Sequence, residues 1–265
     1  TKQTLVLPSL FSDGMVLQRD TLAHVWGQGK PGQLVTLNGS WKFSKTTRVN
    51  DSGTWKVAIS TSKDPGPHTL VISSAKETMK IDNLLFGEVW LAAGQSNMEM
   101  DFDYCCNTTD SASQVIREAN YPLVRMFNVK KTLEYEPTKK VDGYWMEAVG
   151  ESVTSFSAAG FFFAKSLHEE LGIPIGIIHS SWGGSKLESW TSREVLEQID
   201  EYEEFFVDLT RDIDENKKAR NWFSKHRSIV PPSHGWDLFL SEYIKKKDKN
   251  IDYLNYFLGD WRKLD

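Results

Sequence analysis

Residues 89–98 read Val89-Trp90-Leu91-Ala92-Ala93-Gly94-Gln95-Ser96-Asn97-Met98. The five apolar residues are too few for a helix and end in a glycine turn, so they are expected to form a strand buried on both faces, with a serine on the turn that leaves it. Further along, Phe156 to Leu171 carries apolar residues on every side of a helical period and stops at Gly172. Pro174 then opens a second apolar strand, Ile175-Gly176-Ile177-Ile178, which closes at Ser180-Ser181-Trp182-Gly183-Gly184. Strand, helix and strand with short joints make the unit of a parallel α/β sheet. A doubly wound parallel α/β domain is therefore expected from residue 87 onward.

Residues 1–86 have a different rhythm. Short apolar runs at 5–7, 15–17, 23–26, 34–37, 55–59 and 69–72 are separated by Asp13-Gly14, Pro31-Gly32, Asn38-Gly39, Asp51-Ser52-Gly53 and Pro65-Gly66-Pro67. These residues supply the positive or fixed φ of tight turns, and strands at this spacing predict a small all-β sandwich, 1–86, ahead of the α/β domain. After residue 190, Thr191 with Glu194 three positions on resembles a capping box, and Val195, Leu196, Ile199, Phe206, Leu209 and Ile213 follow at helical spacing, predicting a long helix. Pro231-Pro232 interrupts that pattern, and Leu238, Phe239, Tyr243 and Ile244 predict a second helix, so 191–260 is expected to be a helical segment of the 87–265 domain. The Lys245-Lys246-Lys247 run is balanced by neighbouring acids and reads as a solvated face.

Composition narrows the function. The 265 residues carry 31 Lys+Arg against 36 Asp+Glu, a formal charge of -5, without the basic excess that neutralising nucleic-acid phosphates requires. No apolar run reaches the roughly 18 residues of a membrane span. The adjacent Cys105 and Cys106 form no zinc or redox spacing, the six histidines show no HExxH or HxH pattern, and no phosphate-cradling GxxxxGK loop occurs. No metal and no cofactor is therefore expected. Chemistry is best sought at the exits of the two apolar strands, because ligands of open α/β sheets collect at the carboxyl ends of strands. Ser96 stands at one exit; Gly183 and Gly184 stand at the other, where backbone N–H groups approach a substrate without a side chain in the way. Either feature alone also reads as an ordinary turn.

Three ordered motifs carry a resemblance. Gly87 through Met100, Phe156 through Ala164, and Pro174 through Trp190 are similar to the sialate O-acetylesterase family of SGNH hydrolases, and the likeness extends to the β-rich 1–86. The resemblance implies that Ser96 is the nucleophile attacking an acetyl carbonyl to give an acyl-enzyme. It also implies that the backbone N–H of Ser96 and of Gly184 or Gly183 holds the oxyanion. Gln95 and Asn97 would shape the turn, while Trp182 and Glu188 would line or brace the substrate pocket.

The family's further Asn motif and its late Asp-x-x-His are missing from these 265 residues. A serine without a base is a poor nucleophile at neutral pH, so the chain is expected to be the N-terminal part of a longer enzyme whose C-terminal part completes the site. His179 reads as a core histidine packed beside the site, and His234 as a loop residue. The expected substrate is an O-acetylated sugar, first of all a sialic acid, with acetylated xylan as the alternative. A non-catalytic carbohydrate-binding module on a hydrolase frame is the reading from another class. No nucleic-acid or membrane-spanning partner is expected. The family resemblance implies a periplasmic or extracellular location.

Overall fold

The computed structural model describes residues 5–75, 77–103, 110–132, 138, 140–203 and 206. The chain divides into two compact units, 1–186 and 187–265. In the first, seven strands run in succession: β1 (Val16–Gln18), β2 (Leu22–Gln28), β3 (Leu34–Gly39), β4 (Phe43–Arg48), β5 (Thr54–Ser60), β6 (His68–Ser74) and β7 (Glu77–Gly94). Helices α1 (Ser96–Glu99) and α2 (Asp110–Glu118) lead to strands β8 (Asn120–Asn128) and β9 (Trp145–Val149). Helix α3 (Ala158–Leu171) and strand β10 (Ile175–Ser181) follow.

The long strand β7 organises the unit. It pairs with β6 antiparallel from residue 77 to 84, with β1 parallel at 85–87 and with β10 parallel at 88–94. The result is a mixed eight-stranded sheet in the order β4-β3-β6-β7-β10-β8-β9, with β1 beside β7; β2 and β5 form a separate two-stranded ribbon. β1, β7, β10 and β8 run parallel, whereas β6 on β7 and β9 on β8 return antiparallel. The fold is mixed α/β, as the periodicities indicate, but its sheet is not wholly parallel.

The first 86 residues do not close off as a sheet of their own: the ladder continues past residue 86 along β7. Gly87 permits this continuity. A Cβ there would collide with the main chain of Pro174, whose carbonyl instead accepts a hydrogen bond from Glu88 N–H at 3.0 Å. Two apolar cores flank this crossing. The first joins Val25, Val57 and Ile59 of the ribbon to Val35, Leu37, Leu70 and Ile72 of the sheet. The second joins Ala92, Val124, Met126, Ile175 and Ile177 to Phe161 and Ala164 of α3. Arg125, only 5% exposed, links the two regions through Asn83 (3.2 Å) and Glu147 (3.1 Å).

The run 89–93 is less buried than its composition predicts. Ala92 is buried in the second core, but Leu91, on the opposite face, is 67% exposed, and Trp90, on the same face as Ala92, is still 46% exposed with Phe163 of α3 edge-on to its ring. Helix α3 ends at Gly172 where its sequence says and begins at Ala158, two residues after the start that its apolar pattern indicates. Ser157 Oγ accepts the Gly160 N–H at 3.0 Å, and Gly172 takes the left-handed conformation, φ 65°, that ends helices cheaply.

The second unit opens with a 3₁₀ turn (Leu187–Trp190), a one-turn helix α4 (Arg193–Leu196) and a further 3₁₀ turn (Asp200–Tyr202). The long helix expected from Thr191 is therefore broken at its start. The Thr191 hydroxyl donates back to Leu187 O at 3.2 Å instead of capping a helix, and Ile199 is extended at φ -114°. The remainder of that expected helix, the expected second helix, His234 and the Cys105-Cys106 pair lie outside the described residues. No described helix is long and apolar enough to cross a membrane.

Candidate active site

Ser96 leaves β7 on the turn that the sequence predicts and becomes the first residue of α1. Gly94 holds φ 148°, and Gln95 carbonyl accepts the N–H groups of Met98 and Glu99 at 3.0 Å each, fixing the turn. Gln95, Ser96 and Asn97 are all exposed. Strand β10 brings its exit alongside: Ser181 is the register partner of Gly94, and Trp182 N–H donates to Gly94 O at 3.0 Å. The chain from Trp182 to Gly184 therefore folds over Ser96. A Cβ on Gly183 would lie at ordinary contact distance from Ser96 Cβ, 3.6 Å, and 3.0 Å from Glu99 Oε2, which puts this glycine beside the serine. Gly184 adopts φ 74°, a left-handed conformation that favours glycine.

The Gly183 N–H donates to the Glu99 carboxylate, which also accepts from Lys131 Nζ. The N–H of Gly183, one of the two glycines expected to offer an oxyanion donor, is thus bonded to a carboxylate. The Lys131 ammonium, with the Gly183 N–H assisting, holds the Glu99 carboxyl below the ordinary carboxylate range despite some desolvation. Lys131 Nζ also lies 5.9 Å from the centre of the Trp182 ring, within cation–π reach. Trp182 is 39% exposed, at the same edge of the sheet as Ser96. Glu188 belongs to the second unit, where it hydrogen-bonds Tyr202 and pushes the phenol's pKa upward.

His179 is 6% exposed on β10, with both nitrogens engaged. Asn128 Nδ2 donates to Ser155 O at 3.2 Å, leaving Asn128 Oδ1 to accept the Nδ1–H of His179 at 2.7 Å. Nε2 then accepts the Ser181 hydroxyl at 2.6 Å. Burial is the main reason that the imidazole pKa is pushed below 6.5, offset in part by the Met98 main chain and Glu99. No bond of His179 to Ser96 is present among the described residues.

Sequence reasoning passed over Glu99, Lys131, Asn128 and Ser181 as participants. The spacing of Glu99, three residues after Ser96 on a helical turn, was a usable signal. Nothing local pairs Lys131 with Glu99 or Asn128 with His179, each more than thirty positions away.

Residues 86–223, which include both strand exits, match the model of the carbohydrate esterase family described as sialic acid-specific acetylesterase. The chain belongs to that family. Curated relatives of this sialic acid-specific acetylesterase family member are named sialate O-acetylesterase. The Mus musculus protein is 32% identical over 206 residues, 71% of this chain and 38% of its own length. The Pongo abelii protein is 34% identical over 206 residues, 71% of this chain and 39% of its own length. The chain therefore spans 38–39% of these relatives. Among solved structures, a carbohydrate acetylesterase from Xanthomonas citri superposes with a TM-score of 0.67 at 34% identity, covering 72% of this chain and 44% of that one.

Proposed function

We propose that the chain supplies the nucleophile of an acetylesterase that removes O-acetyl groups from sialic acids, and that Ser96 is that nucleophile. The observation that carries this reading is the approach of the 182–184 turn to Ser96, which brings the Cβ position of Gly183 to 3.6 Å from Ser96 Cβ. Ser96 Oγ attacks the acetyl carbonyl, the sugar oxygen departs with a proton, and water then hydrolyses the acyl-enzyme to acetate. The backbone N–H of Ser96 and of Gly184 hold the oxyanion, because the Gly183 N–H is committed to Glu99. Gln95 and Asn97 hold the turn, Trp182 offers a flat apolar wall to a sugar ring, and Glu188 braces the following segment.

The general base belongs to sequence beyond Asp265. Two observations support this: the chain spans 38–39% of its curated relatives, and His179 spends both nitrogens on Asn128 and Ser181. The names of those relatives favour a sialic acid over acetylated xylan. Operation outside the cytoplasm, in the periplasm or extracellular space, completes the proposal. Acetate release from O-acetylated sialic acid by the 265-residue chain tests the division of the site. None is expected, and release that disappears in Ser96→Ala would place a base, His179 or His234, within these residues. Sugar binding that persists in Ser96→Ala, with no acetate released even by a longer protein, would instead favour the non-catalytic module.

A further inference from the structure

A cleft of about 980 Å³ lies in the first unit, apart from the Ser96 turn. Its floor is the outer face of the β2–β5 ribbon, where register pairs Trp26 with Lys56, Gln28 with Thr54 and His24 with Ala58. Alternation explains that face. Val25, Val57 and Ile59 point into the first core, and the intervening His24, Gln28 and Lys56 are exposed, while the half-buried Trp26 packs against the edge of that core and lines the cleft. A strap closes the other side. Val6 and Gln28 exchange backbone hydrogen bonds at 3.0 and 2.8 Å, and the Ser9 hydroxyl donates to Val141 O, which brings the 140–142 segment over the ribbon. The Lys130 N–H fixes that segment from behind through Asp142 O at 2.8 Å.

The lining has two chemical characters. Trp26 is half-buried and braced edge-on by Phe11 at 4.7 Å, which makes it a rigid aromatic surface that a ligand meets without ordering a loose side chain. Arg48, Lys56 and Lys140 bring three cations to the rim against the single carboxylate of Asp142, although the chain as a whole is acidic at -5. A flat aromatic ring with polar neighbours suits the apolar face and hydroxyl edge of a sugar; a local cationic excess favours a carboxylate on it. The volume is at the upper end of ordinary small-ligand sites, which run to about 1,000 Å³.

We propose that this cleft is a non-catalytic binding site for acidic saccharides, with the sugar ring on Trp26 and its carboxylate facing Lys56 and Lys140. Its ligand shares the carboxylated-sugar chemistry of the proposed substrate, but the site stands on its own residues and does not depend on Ser96 being a nucleophile. It would hold an acidic glycan on the β-rich region while Ser96 works at the far end of β7.

The test is a titration of the Ser96→Ala chain with 3′-sialyllactose and, in parallel, with neutral lactose, followed by isothermal calorimetry. Sialyllactose is expected to bind about tenfold or more tightly than lactose. The double variant Lys56→Gln/Lys140→Gln, which alters only exposed side chains, is expected to remove that preference, while Trp26→Ala is expected to abolish binding of both sugars. Equal binding of the two sugars, no binding at millimolar concentration, or a preference unchanged in the double variant would each overturn the proposal. Acetate release plays no part in the readout, so failure of the esterase reading and failure of this site are separately visible.

Discussion

Glu99 stands three residues after Ser96 and joins two residues far from it in sequence. Its carboxylate receives the Gly183 N–H from the β10 exit and the Lys131 ammonium, so it ties the turn that carries Ser96 to the turn that faces it. Charge-assisted bonds of this kind are about twice as strong as neutral ones and fix position as well as energy. In the protein extended beyond Asp265, Glu99→Ala is expected to loosen the 182–184 turn and lower kcat/KM for acetate release by about tenfold or more, an amount equivalent to about 1.4 kcal/mol of transition-state stabilisation. Glu99→Gln, which retains an acceptor for the Gly183 N–H, is expected to keep more activity than the alanine variant. Equal rates for wild type and Glu99→Ala would show that the tie does not matter. At this scale the sequence was informative about the chain's own turns and silent about partners. The turns at Ser96 and at Gly183-Gly184 are legible as turns because glycine and serine at a strand exit have local meaning. Lys131 and Asn128 are not, because their roles depend on where β8 ends relative to β7 and β10.

Strand β7 shows how an element can be read correctly in type and incorrectly in environment. The apolar run 89–93 does form a strand, but it is the last third of one that starts at Glu77, and Leu91 is exposed where burial on both faces was expected. Composition reports apolarity; only packing reports which face is covered. The same distinction explains β4, Phe43–Arg48, which is mostly polar and gives no alternation to detect. It also explains α4, where a capping-box pattern at Thr191 loses to a local bond back to Leu187. Helix α3 was legible because its cap residues act within the chain's own neighbourhood, Ser157 on Gly160 and Gly172 at the end. The joint at Gly87 makes a prediction that belongs to this scale. Gly87→Ala would drive a methyl into the Pro174 main chain, where no flexible side-chain end can yield, and is expected to destabilise the protein by about 1–3 kcal/mol. A urea midpoint unchanged by the substitution would contradict the close approach of β7 and β10.

For the first unit taken whole, the buried Asn128–His179–Ser181 chain couples stability to pH. Burial depresses the His179 pKa below 6.5 in the folded state. The unfolded chain then binds a proton that the folded chain refuses, so the contribution is fully present above about pH 6.5 and is lost as pH falls through the folded value. Urea unfolding is therefore expected to show stability falling from pH 7.5 to pH 5 in the wild type, with a shallower fall in His179→Gln. Identical pH slopes would contradict a neutral buried imidazole. The mixed α/β class and the family were both legible from three short motifs. The continuity of one sheet from β4 to β9 was not, since it rests on a single strand serving both cores. The most direct measurement of the central claim is acetate release from O-acetylated sialic acid by the protein extended beyond Asp265, with and without Ser96→Ala. The account predicts that the extended protein releases acetate and that the substitution lowers the rate by about three orders of magnitude or more; release by Ser96→Ala at the unsubstituted rate would contradict it.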